Sequence, residues 1–132
     1  EYFDDEGPDE VRGEAYYYGG RVYREMGDAP QALDYYQKAQ DAYPQDQAFM
    51  KGKIASQMGQ LFLELYMFDH AKTKFQEAIH HQKACKDTSA LILNLRAMGD
   101  IYSSLHHKDS ALYYFNDALK LVQKKNPVDN VN

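Results

Sequence analysis

Residues 20–39, GRVYREMGDAPQALDYYQKA, return twice further along the chain, as GQLFLELYMFDHAKTKFQEA over 59–78 and GDIYSSLHHKDSALYYFNDA over 99–118. Five positions agree in all three copies with no insertion inside the block. They are a glycine (Gly20, Gly59, Gly99), an aromatic (Tyr23, Phe62, Tyr102), an alanine (Ala32, Ala71, Ala111), a second aromatic (Tyr36, Phe75, Phe115) and a second alanine (Ala39, Ala78, Ala118). The glycines are spaced by 39 and 40 residues, and self-similarity at a fixed period marks a repeat architecture.

Each half of the block follows helical spacing. Gly-x-x-aromatic in the first half and Ala-x-x-x-aromatic-x-x-Ala in the second keep their residues on one helical face. Small residues recur where two helix backbones must approach closely, and aromatics recur where the gap must be filled. The block therefore predicts a pair of antiparallel helices per copy. Short turns separate the two halves at 27–30, 66–69 and 106–109, and in the first of these Gly27 suits a helix stop and Pro30 the first turn of the next helix. The pattern predicts helices over Asp9 to Met26, Pro30 to Tyr43, Asp46 to Tyr66, Asp69 to Cys85, Thr88 to Leu105 and Asp109 to Lys125. Pro8, Asp46, Asp69 and Asp87-Thr88 stand at expected starts. Lys120, Lys124 and Lys125 complement the last helix dipole, Asn126-Pro127 closes it, and residues 1–7 and 128–132 read as loose ends.

Composition narrows the class. The chain has 132 residues, with 15 Lys plus Arg against 20 Asp plus Glu and a formal net charge of −5. Such a balance disfavours a nucleic-acid backbone as partner, because that binding runs on clustered cations. A hydrophobic share of 44% is too high for a disordered chain. The single Cys85 excludes an internal disulfide and a multi-cysteine zinc site. No stretch approaches the roughly 20 apolar residues that a membrane-spanning helix requires. Starting at Glu1 without methionine, the chain reads as a piece of a longer protein and leaves the compartment open.

The arrangement resembles the tetratricopeptide repeat (TPR), most closely in the first copy through Gly20, Tyr23, Gly27, Ala32, Tyr36, Ala39 and Pro44. The family's tryptophan position holds Tyr16, Ala55 and Leu95, the second and third copies lack the closing proline, and the period exceeds the usual 34 or so. The excess falls between one copy's second alanine and the next glycine, which implies longer helices; such arrays resemble those of bacterial regulatory proteins. The resemblance implies an all-α fold, a right-handed α-α superhelix (solenoid) of three helix-turn-helix repeats over about 9–44, 46–85 and 88–125, with a tail at 126–132. The whole of 1–132 would then be one array.

In this family the inner, concave wall is lined by first-helix residues that do not face the core. Carried over by position, the wall is expected to include Glu14, Tyr17, Arg21 and Arg24, then Lys53, Ser56, Gln60 and Glu64, then Arg96, Asp100 and Ser103. Some members clamp a C-terminal carboxylate with Lys, Asn and Arg on these helices. Arg21, Gln57, Leu93 and Ala97 stand at those positions here, so that clamp is rejected. The alternative for the polar residues is a solvated face without a ligand.

Other residue types offer less chemistry. Tyrosine occurs 12 times, including Tyr16-Tyr17-Tyr18, and neighbours on a helix diverge by about 100°. Within such a run some rings must lie near the surface, and Tyr17 is a candidate aromatic anchor for a partner; otherwise these rings lean on neighbouring helices with the hydroxyl toward water. Glu77 and His81 have i, i+4 spacing, too few ligands for a metal site of its own. Cys85 reads as a small buried hydrophobe. With no glycine-rich phosphate loop, and with the carboxylate pairs Asp4-Asp5 and Asp9-Glu10 at a loose end, no enzyme, cofactor or metal is expected.

Two functions remain open. One is a protein–protein interaction module that binds a peptide or protein segment on the concave face. The other is a structural or oligomerisation array within a larger bacterial sensor or regulator, with no groove ligand. The last helix carries Leu112, Phe115, Leu119 and Val122 with nothing further to cover its outer side, which raises a homodimer through the C-terminal repeat, or a further repeat or capping helix.

Overall fold

A computed structural model describes residues 8–125. The closing Asn126-Pro127, the loose ends and the pair Asp4-Asp5 lie outside these residues. Six α-helices account for the described chain: α1 Asp9–Glu25, α2 Ala29–Ala42, α3 Ala48–Glu64, α4 Phe68–Cys85, α5 Thr88–Ser104 and α6 Lys108–Lys125. The most extensive packing is within the hairpins α1–α2, α3–α4 and α5–α6, followed by α4 on α5 and α2 on α3. Helices thus pack chiefly on their sequence neighbours, as in quasi-one-dimensional repeat folds.

Four of the expected starts move by one or two residues, from Pro30 to Ala29, Asp46 to Ala48, Asp69 to Phe68 and Asp109 to Lys108. Helix α3 begins at Ala48 behind Gln47, whose side chain makes no cap bond, and α4 begins at Phe68 behind Met67. Asp46 is therefore outside α3, and Asp69 sits in the first turn of α4, where it favours the positive end of the dipole without capping. Side-chain caps do form at Asp28, which accepts from the Gln31 amide at 3.1 Å, and at Asp87, which accepts from the Ala90 amide at 3.3 Å.

All three hairpins turn the same backbone corner. The carbonyl of the first repeat aromatic accepts the amide five residues on: Asp28 N–H to Tyr23, Met67 N–H to Phe62 and His107 N–H to Tyr102, at 2.8–2.9 Å. The residue before each donor is left-handed, with φ of 80° at Gly27, 58° at Tyr66 and 61° at His106. Glycine adopts that conformation freely, whereas a side chain there costs about 1–2 kcal/mol. The turn geometry is therefore set by the hairpin packing, and the second and third copies carry it under strain.

The repeat residues build the core. Ala32, Ala39, Ala71, Ala78, Ala111 and Ala118 are all buried, as are Tyr36 and Phe75. One apolar cluster joins Tyr17, Tyr36 and Tyr43 to Ile54, Met58 and Leu61 of α3; a second joins Phe75 and Ile79 to Leu91, Leu95, Met98 and Ile101 of α5. Burying a side chain the size of Phe75 contributes about 1.5–3 kcal/mol. The first cluster spans the α1–α2 hairpin and α3, and the second spans α4 and the α5–α6 hairpin, so neighbouring hairpins share one core.

Candidate wall on helices α1, α3 and α5

The first helices of the three hairpins are tied side by side by their own side chains. Arg24 of α1 donates to Gln57 Oε1 at 2.8 Å and to Glu64 Oε2 at 2.7 Å, both on α3. Lys53 of α3 holds its ammonium 5.5 Å from the centre of the Tyr17 ring on α1. Between α3 and α5, the Ser56 hydroxyl donates to Asn94 Oδ1 at 2.8 Å. Asn94 in turn donates through Nδ2 to Gln82 Oε1 at 2.8 Å and to the Ala90 carbonyl at 3.0 Å. Because Asn94 and Gln82 are buried, this chain satisfies groups that would otherwise be costly.

The expected wall residues divide accordingly. Arg21, Gln60 and Asp100, each one residue after its repeat glycine, are exposed, as are Glu14, Lys53, Arg96 and Ser103. Arg21 lies 5.8 Å over the Tyr18 ring, and Arg96 approaches Asp100 at 3.9 Å with both side chains largely in water. Such an exposed pair contributes little. Arg24 and Glu64 are spent on each other, and Ser56 on Asn94.

Tyr17 departs from its expected place. Only 1% exposed, it packs into the first core cluster with its ring centre 5.9 Å from that of Tyr36. The exposed ring of the run is Tyr18, so the aromatic anchor assigned to Tyr17 is withdrawn. Ser56 and Arg96 hold the same register position in the other copies; in the first copy a large ring turns inward there and fills space beside α2. Burial raises the pKa of Tyr17, opposed by Arg21. For Tyr36 burial likewise raises it, opposed by the Arg24 guanidinium near its hydroxyl. Burial, reinforced by Glu14, pushes Tyr43 up to about 12.

A cleft of about 220 Å³ opens between α3 and α5, lined by Phe49, Lys53, Ser56, Gln57, Gln82, Asp87 and Ala90. Of these only Lys53, Ser56 and Gln57 had been singled out as wall or clamp positions. Gln82 escaped notice because a glutamine on a second helix reads as surface, and its partner Asn94 is 12 residues away. The inward direction was nevertheless signalled by register, since Gln82 repeats the place of the aromatic Tyr43 one copy earlier.

Among the remaining candidates, Glu77, His81 and Cys85 stand on α4. No group of three or more His, Cys, Asp or Glu able to hold a metal occurs among the described residues. Burial, then the neighbouring His80 and Lys51, lower the pKa of His81. Cys85 is half-buried rather than buried, with its Sγ 3.8 Å from the Gln82 carbonyl. No helix among the described residues is long and apolar enough to cross a membrane.

No family model and no curated protein sequence matches the chain. In three dimensions it is similar to the aspartyl phosphate phosphatase F of Bacillus subtilis, with a TM-score of 0.80 over 97% of this chain at 19% identity. The chain spans 34% of that protein's length. At this identity the likeness is one of fold, and it places the six helices in an all-α helical-repeat architecture.

Proposed function

We propose that the chain is a tetratricopeptide-type interaction module whose α1–α3–α5 wall, the inner side of a right-handed superhelix, binds a peptide or protein segment. The observation that carries this reading is the register of Arg21, Gln60 and Asp100. Three equivalent positions on three helices carry exposed polar groups, while Arg24, Glu64, Ser56 and Asn94 tie those helices together. The cleft between α3 and α5 adds an apolar side at Phe49 and a cation at Lys53, a pairing suited to a segment that carries a carboxylate beside an apolar side chain. The reading is of binding without catalysis, with Arg21, Lys53, Gln60, Arg96 and Asp100 as the contacting residues.

Affinity capture from the source organism's lysate, comparing the chain with its Arg21→Glu, Arg96→Glu double variant, tests the proposal. Both residues are exposed, so the variant should fold. A prey held by the chain and lost by the variant supports it; identical preys contradict it. Exposed apolar residues at both ends of the array favour a second reading, an assembly array without a groove ligand, which predicts identical captures.

A further inference from the structure

We propose that the cleft where α2, α3 and α4 meet is a binding site for a small tetrahedral oxyanion, held by the buried ammonium of Lys51. The cleft measures about 200 Å³, and every residue that lines it is polar or charged. Lys51 stands two residues before Lys53, about 200° around α3, so it points away from the α1–α3–α5 wall. The site is therefore separate from the peptide contact proposed there. Lys51 is only 7% exposed, yet among the described residues no carboxylate pairs with it. Its Nζ donates to the Gln40 carbonyl at 2.7 Å, and Gln40 Nε2 donates back to the Lys51 carbonyl at 3.0 Å. This two-way bond fixes the ammonium at the joint of α2 and α3. An ammonium carries three donors, so two remain for the cleft, and a buried charge without a counter-ion is costly.

The other groups of the cleft leave that charge to an outside anion. Asp41 of α2 accepts from Gln37 Nε2 at 3.1 Å, and Glu77 of α4 pairs with Lys74 at 3.0 Å. Both carboxylates are exposed, so water screens their repulsion of an anion at Lys51. The Gln45 amide lines the same cleft and offers further donors to oxyanion oxygens. His81 is half-buried there, and its pKa is lowered by burial first and then by His80 and Lys51, with Glu77 opposing. At neutral pH the ring is therefore uncharged, and acidification adds a second cation near Lys51. The two equilibria are linked: an anion at Lys51 raises the pKa of His81, and binding tightens as pH falls through it.

Sulfate is the probe, because it stays a dianion while a histidine titrates. The imidazole signals of the full chain are followed by NMR across the histidine range, in sulfate and in chloride at equal ionic strength. Sulfate is expected to raise the pKa of His81 by about one pH unit, equivalent to tenfold tighter binding by the protonated form, and to move the exposed His70 and His106 much less. Two variants locate the ion. Lys51→Met keeps the apolar stem without the ammonium and is expected to abolish the rise at His81. Gln37→Glu, at an exposed position, adds a carboxylate to the cleft and is expected to reduce it; a thermal melt shows which variants fold. An equal rise at all three histidines would overturn the proposal, since it would report the ionic atmosphere alone. A rise at His81 that survives undiminished in every variant that folds would overturn it as well. Competition by inorganic phosphate and by phosphoserine then tells a free ion from a phosphorylated side chain, and displacement of sulfate by either supports the site.

Discussion

Gly59 faces the ring of Phe75 so closely that a Cβ built on the glycine would stand 2.9 Å from Cε1 of the ring. The same relation joins Gly20 to Tyr36 at 2.8 Å and Gly99 to Phe115 at 2.6 Å. The first position of the repeat is therefore small because the fourth is an aromatic packed on it, and the two together set the spacing of each hairpin. Real Cβ atoms do not approach that closely, so any side chain at the glycine must displace the ring.

Whether the ring can move decides the cost. Phe75 is fully buried, so Gly59→Ala is expected to lose about 1–3 kcal/mol to overpacking, against roughly 1 kcal/mol gained in helix propensity. Phe115 is half-exposed and can swing toward solvent, so Gly99→Ala should be close to neutral. Chemical denaturation of the two variants checks this: a Gly99→Ala variant less stable than Gly59→Ala would contradict it.

The shared corner gives predictions of opposite sign. Tyr66→Gly and His106→Gly should each stabilise by about 0.5–1 kcal/mol by relieving a left-handed side chain, while Gly27→Ala should destabilise by about 1 kcal/mol. Tyr66 is largely exposed, so little packing is lost with its ring. Melting temperatures that fall for both glycine variants would argue against strain at these corners.

Removal of Asn94 strands two neighbours at once. Asn94→Ala should cost about 2–4 kcal/mol, because Ser56 loses an acceptor and Gln82 a donor in a buried site. Adding Gln82→Leu to Asn94→Leu should recover part of that loss, since apolar replacement of both buried partners leaves only the half-buried Ser56 hydroxyl without its bond. Equal destabilisation by the single and double leucine variants would show that the network is not what is being broken.

Much of the fold was legible in the sequence. Gly20, Tyr36 and their repeats announce hairpins because close helix approach demands a small residue against a large one, and that demand returns at a fixed period. The helix limits moved by only one or two residues, and at two of the starts Gln47 and Met67 stand where acidic caps were expected. The site was less legible. Position alone placed Tyr17 on the wall with Ser56 and Arg96, yet a tyrosine large enough to reach α2 turns inward where a serine or arginine stays out. Asn94 and Gln82 were invisible for the opposite reason: polar residues read as surface, and their mutual satisfaction exists only after α4 and α5 pack.

Alkaline pH should loosen the first hairpin. The folded pKa of Tyr43 is about 12 against an ordinary 10, so the folded state holds its proton more tightly and stability is lost as pH rises from about 10 through about 12. Raised values at Tyr17 and Tyr36 act in the same direction. Denaturation midpoints followed across that window should fall for the parent chain and fall less steeply for Tyr43→Phe; parallel slopes would remove Tyr43 from the cause.

The wall itself is tested most directly by lysine labelling of the chain with and without its captured partner, read residue by residue by mass spectrometry. Lys53 stands on the α1–α3–α5 wall, while Lys83 stands on α4 and Lys120 on α6. Binding along the wall predicts that Lys53 loses reactivity in the complex while Lys83 and Lys120 keep theirs. Protection of Lys83 or Lys120 with Lys53 unchanged would contradict the account and move the contact surface to the second helices.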